Sequence, residues 1–213
     1  IENLNKNDAY IFVSNHRDIT LDSALLNYSL HRNNFKTTNN AVGNNLMEER
    51  WASDLMRLNK SFIIDRGGKS KREIYKSLNL VSEFIFNQVT ECSESVWIAQ
   101  KQGRAKDGID ITDPSVLKMI HLFSRKDMNI GNCLNKLKVI PVAISYEYDP
   151  NDLIKAREVF ASTNNTAYKK ADGEDLKSIA DGISKNKGNV CLNIGKEIRF
   201  DSESYEECAD IIT

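Results

Sequence analysis

The sequence predicts an α/β fold with a mostly parallel central sheet flanked by helices. Short apolar runs of strand length recur along all 213 residues, and the stretches between most of them carry helical spacing. With 40% apolar residues the chain can bury a substantial core, so a single domain over 1–213 is expected.

The first strand is expected at 10–13 (Tyr-Ile-Phe-Val), and later ones at 62–64, 95–99, 139–145 and 190–194. A helix over 19–30 would place Leu21, Leu25 and Tyr28 on its inner face, with Ala24 beside them. The asparagine- and threonine-rich stretch 33–45 reads as a loop or irregular crossover. Residues 74–86 show Ile74, Leu78, Val81 and Ile85 at helical spacing. Three further helices are expected at 117–124, at 153–160, and from Leu176 through Ile179, Ala180 and Ile183. Pro141 belongs at the start of a buried strand or at a bulge.

A net charge of −1, without long like-charge runs, gives no reason to expect a nucleic-acid partner. No apolar run approaches the roughly 20 residues of a membrane-spanning helix, and no stretch reads as a signal peptide. The chain starts at Ile1 rather than Met, so an upstream segment, with any membrane anchor, is expected outside it. Cys92, Cys133, Cys191 and Cys208 are widely spaced and lack histidine partners, so four reduced thiols are expected rather than a zinc site or disulfides.

The stretch with the most chemistry is Ser14-Asn15-His16-Arg17-Asp18-Ile19-Thr20-Leu21-Asp22. It puts a histidine at a strand-to-helix turn and a carboxylate a short way into the helix. An imidazole with an ionised partner can take a proton from an alcohol near neutral pH. Asp18 has the ordinary reading of a helix N-cap. Asp22 could lean back to the imidazole, or simply favour the positive end of the helix dipole. On geometry alone both readings of Asp22 stand.

Two cationic glycine loops follow later strands. The first is Asp65-Arg66-Gly67-Gly68-Lys69, and the second is Lys101-Gln102-Gly103-Arg104-Ala105-Lys106. Glycines permit close backbone approach, and Arg66, Lys69, Arg104 and Lys106 could grip one anionic ligand. His31 and His121 have no such setting and are expected on helix surfaces or at interfaces. Trp51 and Trp97 read as core or amphipathic packing, and 139–147 as a buried core strand.

In this order, the segments resemble the blocks of the glycerolipid acyltransferase family, which includes the glycerol-3-phosphate and 1-acylglycerol-3-phosphate O-acyltransferases. Asn15-His16-Arg17 through Asp22 resembles the first block, and Phe62-Ile63-Ile64-Asp65-Arg66-Gly67-Gly68 the second. Gln102-Gly103-Arg104-Ala105-Lys106 falls at the third, and Val139-Ile140-Pro141-Val142 at the fourth. Lys187-Gly188-Asn189, leading into 190–194, is similar to the closing strand, so the resemblance runs from about Tyr10 to Ile198. The family's aspartate lies five positions after its histidine, where this chain has Leu21; Asp22 lies at six. The third block is one residue short between glycine and arginine, and Lys101 or Gln102 stands in place of its glutamate.

The resemblance implies a glycerol-3-phosphate acyltransferase-like fold and a role in phospholipid biosynthesis. His16 would be the general base, oriented by Asp22, with Asp18 as the alternative orienter. Arg66, Gly67, Gly68, Lys69, Gln102, Gly103, Arg104 and Lys106 would bind substrate. The acyl donor would be acyl-CoA or acyl-acyl carrier protein, and the acceptor glycerol 3-phosphate or 1-acylglycerol 3-phosphate. No cofactor or metal is expected. The acyl carrier protein is a candidate partner, and the expected location is peripheral, on the cytoplasmic side of a membrane surface. The replaced glutamate leaves two alternatives: another acceptor, such as an amino-acid lipid or lyso-lipid, or a catalytically weak acyl-donor- or lipid-binding homologue.

Overall fold

A computed structural model describes residues 1–44, 50–65, 67–68, 70–164 and 166–213. Its strands are β1 (Ile11–Ser14), β2 (Asn39–Gly43), β3 (Ser61–Ile64), β4 (Val96–Ala99), β5 (Val139–Tyr146) and β6 (Val190–Ile194). The helices are α1 (Leu21–Arg32), α2 (Arg50–Leu58), α3 (Lys71–Thr90), α4 (Pro114–His121), α5 (Ile130–Leu137), α6 (Asp152–Thr163), α7 (Glu174–Ser184) and α8 (Tyr205–Ile212). The strands form one sheet in the order β3-β2-β4-β1-β5-β6. Every pairing is parallel except β5 with β6. The fold is therefore α/β with a mostly parallel sheet, as the alternation of apolar runs and helical spacing predicts.

Side-chain alternation along the strands divides the core into two layers. Ile11, Val13, Val96, Ile98 and Val139 face α3, α4, α5 and α8 through Ile85, Leu117, Leu134 and Cys208. Tyr10, Phe12, Trp97, Ile140, Val142 and Ile144 face the other way, onto Leu26 and Leu30 of α1. β1 is thus buried on both faces near the middle of the sheet. Its C-terminal end, between β4 and β5, lies where open α/β sheets bind ligands.

Several expectations are corrected. The stretch 33–45 is not simply a loop, because it contains β2, between β3 and β4. Its two asparagines hide the strand from a reading of apolar pattern. In the structure their polar groups are paired: Asn40 Nδ2 donates to Asn59 O (2.6 Å), and Asn40 Oδ1 accepts from Thr38 Oγ1 (2.8 Å). The helices α2, α5 and α8 are too short for a clear periodic signal. Caps hold two of them, with Asn129 Oδ1 accepting from Asn132 N and Ser204 Oγ from Glu207 N.

The inner face of α1 is also not the expected one. Asp22, Ser23, Leu26, Asn27 and Leu30 are buried, whereas Tyr28 is 63% exposed. Asn27 Oδ1 accepts from Thr38 N (2.7 Å), so a polar side chain takes an inner position. In α6 the apolar Leu153 and Phe160 face out, and Lys155 is the buried residue. In α7 Ile179 is buried, while Ala180 and Ile183 are exposed. His121 is buried rather than on a helix surface, with Nδ1 at 2.7 Å from Tyr205 Oη and Nε2 at 2.8 Å from Met128 O. Trp51 is exposed rather than packed in the core.

Pro141 lies within β5, paired with Val13, next to the point where the ladder to β6 begins. All four cysteines are free thiols, with Cys133 and Cys208 buried. Among the described residues no helix is long and apolar enough to cross a membrane.

Candidate active site

β1 delivers the site. Ser14, its last residue, accepts a hydrogen bond from Trp97 Nε1 (2.9 Å), which ties the strand end to β4. Asn15 then extends the ladder with its side chain: Nδ2 donates to Ile144 O (3.0 Å) and Oδ1 accepts from Ile144 N (2.8 Å). The main chain can leave the strand here without orphaning the buried peptide groups of β5.

His16 follows, and its Nδ1 lies 2.9 Å from Asp22 Oδ2. Asp22 is fully buried, and the His16 side chain retains 15% exposure. The same Asp22 oxygen accepts from Arg17 N (2.6 Å) and Asp18 N (3.0 Å), while Oδ1 accepts from Tyr146 Oη (2.8 Å). Four donors converge on one carboxylate and fix its orientation. The carboxylate only accepts, so the imidazole Nδ1 carries a proton, and in the neutral ring Nε2 carries the lone pair. Trp97 packs edge-on against the ring, with centroids 5.9 Å apart.

The extra residue between His16 and Asp22 is taken up in the turn. Asp18 Oδ1 accepts from Thr20 N (3.0 Å) and Leu21 N (2.9 Å), so Asp18 closes the approach to α1 and does not contact the imidazole. Of the two carboxylates, Asp22 is the one against His16. Asp18 Oδ2 is buried without a hydrogen-bond partner among the described residues. Desolvation raises the Asp18 pKa, and the peptide N–H groups of Leu21 and Thr20 offset part of that rise. Gly182 lets α7 settle here, since a Cβ at that position would come within 2.3 Å of Asp18 Oδ2.

The loop after β4 lies against the His16 turn. Ala105 N donates to His16 O (2.8 Å), and Gln100 N donates to Ser14 O (2.7 Å). Gly103 takes φ +75°, a left-handed conformation that costs little only for glycine. His16, Trp97, Gln102, Gly103, Arg104 and Lys106 all line one cleft of about 430 Å³. Arg104 Nη2 donates to Ser178 Oγ (3.3 Å), and its Nη1 is buried without a partner among the described residues. Lys106 pairs with Glu158 of α6 at 3.0 Å. Ile64, Gly43 and Asn44 extend the lining toward β3.

The second block is placed differently. β3 is three strands from β1, roughly 14 Å at the usual strand spacing. Arg66 and Lys69 lie outside the described residues. Gly67 N donates to Asp65 Oδ1 (2.8 Å), and Gly68 is close-packed against the start of α3, where a Cβ would meet Ile74 Cγ1 at 2.8 Å. Neither glycine lines the cleft. Among the described residues no group of three or more His, Cys, Asp and Glu side chains could hold a metal ion.

Sequence reasoning missed the residues that brace the turn from the second half of the chain. Arg17 Nη2 donates to Asp110 Oδ2 (2.5 Å), which also accepts from Asn15 Nδ2 (2.9 Å). Lys155 Nζ donates to Arg17 O (2.7 Å) and pairs with Asp149. Burial lowers the Lys155 pKa, and Asp149 opposes that shift. Lys101, noted only as standing near the missing glutamate, lines the cleft and donates to Ile109 O (2.8 Å). These partners are far apart in sequence, so no local pattern announces them.

Comparisons with known proteins bear on the first half of the chain. The acyltransferase family model matches residues 1–101, which include the His16 turn, Asp22 and the second block. No curated protein matches. A solved structure, the 1-acyl-sn-glycerophosphate (LPA) acyltransferase PlsC from Thermotoga maritima, is similar over 67% of this chain and 47% of its own. The identity is 16% and the TM-score 0.38, a likeness that carries no argument about the site. The chain spans about half the length of that structure. Over residues 1–101, the chain is similar to the acyltransferase family.

Proposed function

We propose that the chain is an O-acyltransferase acting on a glycerol-phosphate acceptor. It moves a fatty acyl group from acyl-CoA or acyl-acyl carrier protein to a hydroxyl of glycerol 3-phosphate or 1-acylglycerol 3-phosphate. The observation that carries this reading is the 2.9 Å contact between His16 Nδ1 and the buried Asp22, on an imidazole that lines the cleft.

With Nδ1 held by Asp22, His16 Nε2 takes the proton of the acceptor hydroxyl as its oxygen attacks the thioester carbonyl. The tetrahedral intermediate expels the thiolate, which receives that proton from the imidazolium and leaves as a thiol. The acyl group passes directly from sulfur to oxygen, so the step needs no covalent enzyme intermediate. The acceptor phosphate sits against Arg104, whose buried Nη1 has no partner among the described residues, with Lys101 and Lys106 on the same cleft. Arg66 and Lys69 join them in this reading on the strength of the block resemblance.

The test is a matrix of acyl-CoA and acyl-acyl carrier protein donors against glycerol 3-phosphate and lysophosphatidate. His16→Ala is expected to lower transfer by about 10³-fold, within the range for removing a general base, while the circular dichroism spectrum is kept. Transfer by that variant at the parent rate would mean that His16 is not the base.

Contact with a membrane surface is supported by α2. Trp51, Leu55 and Leu58 are exposed at i, i+4 and i+7, whereas Met56 and Ser53 face the core. Arg50 and Arg57 lie along the same helix. A helix with an outward apolar stripe beside basic residues suits the interface of an anionic bilayer. Co-sedimentation with phosphatidylglycerol-containing vesicles is expected to drop severalfold in Trp51→Ser/Leu58→Ser. Unchanged co-sedimentation would rule α2 out as the contact.

A further inference from the structure

We infer that Tyr146, at the C-terminal end of β5, is a positioning residue for the His16–Asp22 pair. It acts through Asp22 and rests on the reading of His16 as the base.

Asp22 is fully buried, so protein groups set its orientation. Oδ2 takes three donors: the imidazole and the N–H groups of Arg17 and Asp18. Oδ1 takes Tyr146 Oη at 2.8 Å. Without the phenol, the buried Oδ1 would face the interior with no donor. The carboxylate plane would then be fixed from one side only.

The direction of the Tyr146 bond is settled by its surroundings. Burial pushes the phenol pKa far above the ordinary tyrosine value, and Asp22, Asp18 and Asp149 push it further. Lys155, paired with Asp149 and bonded to Arg17 O, is a cation that acts on Asp22, and Arg104 acts on Asp18. A phenol that remains protonated beside a carboxylate donates to it. That donation draws charge toward Oδ1 and moderates the pull of Oδ2 on the imidazole proton. β5 fixes the ring, because Tyr146 is paired with Val190 of β6 while the same strand is laddered to β1.

The inference is tested with Tyr146→Phe and with 3-fluorotyrosine in place of Tyr146, a stronger donor that keeps the bond. The first readout is the low-field Nδ1–H proton resonance of His16 in the resting protein, which needs no turnover. It is expected to move downfield in Tyr146→Phe and upfield with fluorotyrosine. The second readout is the acid limb of the kcat/KM profile, expected about half to one pH unit higher in Tyr146→Phe and lower with fluorotyrosine. In Tyr146→Phe, kcat is expected to fall about tenfold with both KM values held within about twofold. If the resonance and the acid limb stay in place in both variants, Tyr146 is only a packing residue and the inference is overturned. His16→Ala that transfers acyl groups at the parent rate removes the base reading instead, while the resonance still reports on Tyr146.

Discussion

Helices α1 and α3 pack on opposite faces of the same sheet and bury opposite chemistry. The inner face of α3 is Val81, Ile85, Phe86 and Val89, with Ser82 as its polar member. The inner face of α1 holds Asp22, Ser23 and Asn27 beside Leu26 and Leu30. Apolar burial holds α3 down at about 25 cal/mol per Å² removed from water. α1 gives up part of that gain to keep a carboxyl group and an amide inside, each paired to groups outside the helix. In this molecule one side of the sheet is built for cohesion, and the other carries the paired His16 and Asp22.

The largest expected effects test that division directly. Asp22→Asn is expected to lower acyl transfer by about 10²- to 10⁴-fold, because the amide cannot replace the carboxylate opposite the imidazole. Ile85→Ala is expected to cost about 2–5 kcal/mol of stability in urea unfolding, while the folded protein keeps the parent rate within about twofold. Ile85→Ala that lost activity while folded, or Asp22→Asn that kept it, would break the comparison.

Asp18→Asn sharpens the comparison on a smaller scale. The folded-state pKa of Asp18 is raised above its ordinary 3.8, with desolvation as the largest cause. The folded protein therefore binds this proton more tightly than the unfolded chain. The associated stability is fully present below the ordinary value and is lost as pH rises through the folded value. An asparagine keeps the oxygen that accepts from Thr20 N and Leu21 N but has no proton to lose. Urea midpoints from about pH 4 to about pH 7 are expected to fall less steeply in the variant, with acyl transfer within about threefold of the parent. Parallel curves would show that Asp18 does not contribute this slope.

The same contrast explains how much was legible in the sequence. Val81 and Ile85 stand at helical spacing and face inward, because on α3 the pattern reflects burial alone. On α1 the identical rule chose Leu21, Leu25 and Tyr28, and the helix is turned to a different face. There, pairing of Asp22 and Asn27 with groups outside the helix decides the rotation. β2 was hidden for the same reason, since the buried Asn40 is satisfied by Asn59 and Thr38 rather than by water. His16, Asp22 and the glycine loop before Arg104 were readable because they are local, ordered blocks. Tyr146, Asp110 and Lys155 were not, because their partners are supplied only by the closed sheet and the helices packed on it.

Asn15 places a limit on when this site can exist. Its amide makes two rungs to Ile144, 129 residues further along, so the histidine turn has no finished shape until β5 has docked beside β1. Contacts of such long sequence separation form late when a chain folds. The residues that match the acyltransferase family model end at 101, yet Asp110, Ile144, Tyr146 and Lys155 brace the turn from beyond that point. A nascent chain that has emerged only through β4 carries His16 and Asp22 but none of these braces. Synthesis of the second half supplies them.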